Sequence, residues 1–448
     1  MGEEHGVTFS SARIRRLILP LIVEQTLAIT VGLADSIMVA VVGESAVSAV
    51  SLVDTVNVLM VNAFTALAAG GAVVAGQYIG QKRLSMANDA ARQLTVFILF
   101  VSAVITALLY LFRDPVLHGL FGSVDEDVMG YAKTYFNIVE ISIPFYAVYS
   151  AGAALFRIMG NSAVSMKVSL FMNALNVCGN ALLIFVVKME VEGVAIPTTV
   201  SRIAGMFIIM ALLRRKTLPI HIDTFKGFRP EKNLITNICR IGVPNGVENS
   251  LFQLGKIMLL SVVSAFGTAS IAANAIGNTV SSFQCVAASA IGTGMVTIVS
   301  QCVGAHHFKA ARYYTAKLMK IAYIAMAGSC LFIMAIMPLI LKLYNVSDEA
   351  ADMARILILL HGIIGIILWP MAFTFPQTLK AAGDTTFTMI VAIGSMWVFR
   401  IIFGVIFAKY LGLGVIGIWL AMFIDWVCRI VFFVIRYRGN KWEKKFIH

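Results

Sequence analysis

Long apolar runs alternate with short charged loops along nearly the whole chain. Runs long enough to cross a bilayer fall at residues 17–42, 52–77, 92–112, 131–156, 163–187 and 191–213. After a polar stretch they resume at 241–266, 275–302, 316–341, 354–379, 386–408 and 415–435. A helix rises about 1.5 Å per residue and needs about 20 apolar residues to span hydrocarbon, so the pattern predicts twelve transmembrane helices. The expected fold class is an all-α polytopic membrane protein.

The loops sort by charge. One set carries Arg13, Arg15 and Arg16; Lys82 and Arg83; Arg157; Arg214, Arg215, Lys216, Lys226, Arg229 and Lys232; Lys309 and Arg312; and Arg436, Arg438, Lys441, Lys444 and Lys445. The alternate set carries Glu44; Asp114, Asp125, Glu126 and Asp127; Glu190; and Asp348, Glu349 and Asp352. Basic loops stay cytoplasmic, which puts both termini inside. The net charge of +12 then reflects topology and anionic lipid, and nucleic acid is not an expected partner. Glu3, Glu4 and His5 precede a run too long for a signal-peptide core, so a multi-pass protein of the cell inner membrane is expected. The six cysteines show no CxxC or metal spacing and read as packing residues.

The chain is also an internal repeat. Arg16-Leu-Ile-Leu-Pro20-Leu-Ile-Val-Glu24 reappears as Arg240-Ile-Gly-Val-Pro244-Asn-Gly-Val-Glu248, 224 residues later. Gly43 meets Gly267 and Gly193 meets Gly417 at that offset, while Pro115, Gly160 and Met166 meet Pro338, Gly383 and Met389 at 223. Six helices per half make the repeats parallel, related by a pseudo-twofold axis along the membrane normal. The expected organisation is a cytoplasmic tail at 1–16, an N-lobe at 17–213, a cytoplasmic linker at 214–240, a C-lobe at 241–435 and a basic tail at 436–448. Two lobes of six helices would leave a central cleft.

Charges within the spans stand out, because each costs roughly 2.5–3.5 kcal/mol to insert. The first run holds Glu24 and Asp35, eleven residues apart and nearly on one helix face. Counting depth from the helix ends, Asp35 on helix 1, Asn176 and Asn180 on helix 5, Thr198 on helix 6 and Glu140 on helix 4 share one level of the outer half. Converging oxygens in a low-dielectric place can bind H⁺ or Na⁺, and a carboxyl that changes its charge there is a usable switch. Interhelical hydrogen bonding is the plainer reading of the same residues.

Glu24 and Glu248 occupy equal depths and read as cleft-lining acids, the alternative being helix-end pairs with Arg16 and Arg240. Lys256, mid-span on helix 7, is expected to face the cleft or to pair with an acid. Asp425 and Arg429, four apart, can neutralise each other. Arg202 has no partner legible in sequence. Asp54 reads as the cap of helix 2. The 22 methionines suit an adaptable apolar cleft. No GxxxxGK[ST] occurs, which removes ATP as the energy source, and no metal or nucleophile motif suggests an enzyme.

Leu33-Ala-Asp35-Ser-Ile-Met-Val with Gly43 resembles the helix 1 signature of the multidrug and toxic compound extrusion (MATE) family. Gly76-Gln-Tyr-Ile-Gly80, Arg157-Ile-Met-Gly160, Lys380-Ala-Ala-Gly383-Asp384-Thr385, Asn176 and Gly412-Leu-Gly414-Val-Ile-Gly417-Ile-Trp419 resemble it too. The resemblance covers essentially the whole chain. It implies an antiporter that extrudes amphipathic, cationic compounds against H⁺ or Na⁺, with no cofactor, working by alternating access as a monomer among membrane lipids. It also implies that Asp35, Asn176 and Thr198 match family positions. Where the family often carries a second helix 5 aspartate this chain has Asn180, so Glu140 is the candidate substitute. The C-lobe acids of the NorM branch fall on Phe252 and Trp369, which places the chain nearer the DinF-like or an unassigned bacterial branch. Lys256 is unusual for a cavity that prefers cations. The rival reading is a lipid-linked oligosaccharide or lipid flippase, for which a more cationic cavity and often extra helices are expected.

Overall fold

The computed structural model describes residues 8–121, 125–225, 227–344 and 346–446. The expectations resting on Glu3, Glu4, His5 and Lys226, and the outer ends of both tails, lie outside the described residues. Among the described residues there is no strand, and the all-α polytopic architecture is the one expected. The first six long helices are α1 Ser11–Val42, α2 Glu44–Gly80, α3 Leu84–Leu111, α4 Glu126–Ile158, α5 Ser162–Val186 and α6 Glu192–Leu213. The next six are α7 Lys232–Ser264, α8 Thr268–Gly304, α9 Phe308–Tyr344, α10 Asp348–Ala381, α11 Thr385–Tyr410 and α12 Gly414–Arg438. A short helix, Arg113–Phe121, follows α3.

Eleven of the twelve are long and apolar enough to cross a membrane. The exception among the described helices is α7, where Asn245, Glu248, Asn249, Gln253 and Lys256 dilute the apolar residues. The second helix starts at Glu44, eight residues before the expected 52. Gly43 turns the chain with φ 142°, a conformation open to glycine, and Glu44 then sits in the first turn, where the helix dipole favours an acid. Gly267, with φ 90°, makes the same corner before α8.

Several helices are interrupted. In α4 a tight turn at Glu140–Ser142 precedes Pro144, whose ring cannot sit beneath the carbonyl four residues earlier in a regular helix. Wide π-type turns occur at Leu182–Val186 in α5 and at Met396–Ile402 and Ile406–Tyr410 in α11. The turns at 182 and 406 are 224 residues apart, whereas α5 and α11 start 223 apart, at Ser162 and Thr385. The turn at Met396–Ile402 therefore absorbs one inserted residue, the usual origin of a π-turn.

The chain divides into two compact units, residues 15–246 and residues 247–448 together with 1–14. The first has a core around Met38, Val53, Phe136, Val139 and Val194. Within it Gly70 lies against Gly242 so closely that a Cβ would come 2.3 Å from the Gly242 Cα. The second has a core around Leu259, Ile276, Leu357, Trp419 and Trp426. Phe9 belongs to it, its N–H donating to the Tyr314 hydroxyl at 2.7 Å. Large side chains such as Phe100, Phe207 and Ile324 stay exposed, as lipid-facing residues can.

Candidate functional site

In the first unit, Asn176 and Asn180 lie four apart on α5 and project from one face. They reach α1 and α6 because Gly179 lets α5 approach Pro197; a Cβ on Gly179 would lie 2.7 Å from the Pro197 Cβ. Asn180 Nδ2 donates to Asp35 Oδ1 at 2.8 Å. With its nitrogen turned toward the acid, Asn176 donates to the two Asp35 oxygens at 3.0 and 3.2 Å and accepts from Thr198 at 2.9 Å. With its oxygen turned that way, its nitrogen donates to Thr198 Oγ1 at 2.9 Å instead. The first sense suits a charged carboxylate and the second a protonated one, whose O–H can donate. Asn176 and Asn180 are buried and Asp35 is half-buried. The structure thus brings together Asp35, Asn176, Asn180 and Thr198, four of the five residues placed at one depth by sequence.

Glu140 does not join them by a hydrogen bond. It is fully buried at the break in α4, and both carboxyl oxygens lack a hydrogen-bond partner among the described residues. The charges acting on it are Arg202 and Asp54. Those two belong to a second polar layer that sequence reasoning missed. Asp54, expected to cap α2, lies well inside it, because the helix begins at Glu44. Its Oδ1 accepts from the Tyr135 hydroxyl at 3.2 Å and from Asn57 Nδ2 at 3.4 Å. Arg202, without a partner legible in sequence, donates to Asn57 Oδ1 at 3.1 Å and to Ser142 Oγ at 2.9 Å. Its guanidinium also stands 5.3 Å from the Tyr146 ring. The signal for Asp54 was the glycine before Glu44, which sets the helix start.

Glu24 and Glu248, expected as open acids lining a cleft, are each held by a cation of their own unit. Arg157 Nη2 donates to Glu24 Oε1 at 2.6 Å, and Ser165 Oγ donates to Glu24 Oε2 at 3.0 Å. Lys380 Nζ donates to Glu248 Oε1 at 2.9 Å. The partners are not Arg16 and Arg240 but residues near the ends of α4 and α10, 223 apart in the repeat. Asp425 and Arg429 pair at 2.8 Å, as their spacing implies. Lys256 has no acid partner among the described residues and shares a pocket of the second unit with Arg400, Asn274 and Asn278. His361 is buried, its Nδ1 2.6 Å from Gln284 Oε1. No cluster of three or more metal-ligating side chains occurs among the described residues.

The MatE family model matches residues 20–182 and again residues 244–406, so the matched segment occurs twice at an offset of 224. The uncharacterized transporter YisQ of Bacillus subtilis is 24% identical over 95% of this chain and 94% of its own length. This agrees with a branch other than NorM. The probable multidrug resistance protein NorM of Thermotoga maritima is 23% identical over 96% of this chain and 92% of its own. A solved outward-facing structure of a multidrug resistance MATE family transporter of the MOP superfamily has the same fold, with a TM-score of 0.88 at 21% identity over 99% of both chains. The double match and the twelve-helix fold make this chain a member of the MatE family of multi-pass membrane transporters.

Proposed function

We propose that the protein is a secondary-active efflux antiporter of the cell inner membrane, with both termini cytoplasmic. It exports amphipathic, cationic small molecules in exchange for H⁺ or Na⁺ by alternating access. The observation that carries this reading is Asp35 held between two asparagine amides with no cation bonded to it among the described residues. A permanent counter-ion would fix its charge, whereas amides can serve either charge state by turning. The amide and hydroxyl oxygens beside it are equally the donors a Na⁺ ion takes. Binding the ion from outside neutralises Asp35 and favours the state that releases substrate outward; losing it inside resets the cycle. Such a ligand shifts the equilibrium by its differential affinity for the two states.

The test is dye transport in inverted vesicles under separately imposed proton and sodium gradients. Asp35→Asn is expected to abolish gradient-driven transport at normal expression. Full transport by that variant would remove Asp35 from the coupling step.

A further inference from the structure

The offset of 224 carries most of the Asp35 site of the first unit onto a pocket of the second; of its four members only Asn180 falls elsewhere, on Gly404. Gly32, Asp35, Asp54, Asn176 and Thr198 map onto Lys256, Leu259, Asn278, Arg400 and Met422. All five mapped residues line that one pocket, with Asn274 and Trp419 beside them. The polarity is inverted. Where the first unit has two carboxylates, the second has a leucine and an amide. Where the first has a glycine and an amide, the second has a lysine and an arginine.

The local chemistry is cationic as well. Lys256 and Arg400 lie near enough to repel each other. Arg400 is 9% exposed, and its Nε has no hydrogen-bond partner among the described residues. The face of Phe252, 5.6 Å from its guanidinium, is its ring contact. Asp425 acts on Arg400 but is bonded to Arg429 at 2.8 Å, so three cations stand against one acid. Asn274 Oδ1 accepts from the Trp419 indole N–H at 3.0 Å, which leaves its NH₂ as a further donor. Arg400 sits in the π-turn that absorbs the inserted residue, so the insertion and the reversed charge coincide.

We propose that this pocket binds the anionic headgroup, a carboxylate or a phosphate, of an amphipathic molecule whose apolar body lies outside it. Its volume of about 40 Å³ suits a group of a few heavy atoms and not a whole drug. Two cations and an amide donor supply charge-assisted hydrogen bonds to such a group. With the acidic site of the first unit, the exported class then extends to zwitterionic and anionic amphiphiles. Only that last step rests on the export reading.

The experiment is equilibrium binding to the full-length protein in a nonionic maltoside detergent, with no gradient present. The probe is dansylaminoundecanoic acid, compared with its uncharged primary amide. Wild-type protein is expected to bind the acid at least about tenfold more tightly than the amide, the scale of one charge-assisted bond. Lys256→Gln is expected to lose that preference and Lys256→Arg to retain most of it. Competition by phosphatidylglycerol but not by short-chain carboxylates would identify a lipid as the natural source of the headgroup; the reverse would identify a free amphiphile. Equal affinity for acid and amide, or an undiminished preference in a Lys256→Gln protein with the wild-type chromatographic profile, overturns the site. Failure here leaves Asp35-coupled efflux standing, and full transport by Asp35→Asn leaves this binding result unaffected.

Discussion

A carboxyl group within a membrane span persists where other side chains replace its water, and Asp35 and Asp54 receive different replacements. Asp35 has two amides, of which that of Asn176 finds partners in either orientation. Asp54 has a phenol and an amide, with Arg202 beyond them. Asp54 lies close enough to Asp35 for its charge to act on it. Asp54→Asn should keep the Tyr135 contact and the fold yet lower gradient-driven transport by about tenfold, the effect of 1.4 kcal/mol on the coupling equilibrium. Unchanged transport rates in vesicles would show that its charge is not used. Glu24 makes a different prediction. Removing its charge takes the carboxylate from beside the Arg157 guanidinium, which is 22% exposed. Glu24→Gln should cost about 3 kcal/mol, the lower end for a broken buried pair. The double variant Glu24→Gln, Arg157→Gln should recover most of it in thermal unfolding; additive losses would rule out the pair as the cause. The asparagines were legible because four-residue spacing on a helix puts them on one face. Glu24 and Arg157 are 133 residues apart, and nothing local connects them.

Helices here are placed by their smallest residues. Gly70 and Gly242 let α2 meet the first part of α7 backbone to backbone, and no side chain can withdraw to make room. Gly70→Ala should destabilise the first unit by about 1–3 kcal/mol, as overpacking does. Gly32→Ala, with nothing within 4 Å of its Cβ, should be neutral or slightly stabilising. Equal melting temperatures for the two variants would contradict the close approach. Helix ends were the least legible feature. A single glycine corner before α2 displaced the expected start from 52 to 44, and Asp54 went from cap to interior with it. The π-turns were equally hidden, since an inserted residue leaves the hydropathy of α11 unchanged and alters only which side chains share a face.

For the whole molecule, the alternation of basic and acidic loops makes a topological prediction. With native cysteines replaced, Glu126→Cys should react with a membrane-impermeant maleimide in intact cells. Lys216→Cys, at a position 79% exposed, should react only after the membrane is opened. The opposite labelling pattern would invert the proposed orientation. The twelve long helices and the doubled segment followed from the sequence, because hydrocarbon thickness and helix rise set the length of an apolar run and a repeat shows in its spacing. Rotation of a helix about its axis and the pairing of distant helices do not follow from counting. Only the tertiary structure decided that Glu24 meets Arg157, that Asp54 joins Arg202 through Asn57, and that Lys256 and Arg400 share a pocket where the other half holds its acids. Those outcomes depend on glycine contacts and helix breaks that fix which faces meet, and a one-dimensional pattern of polarity carries no record of them.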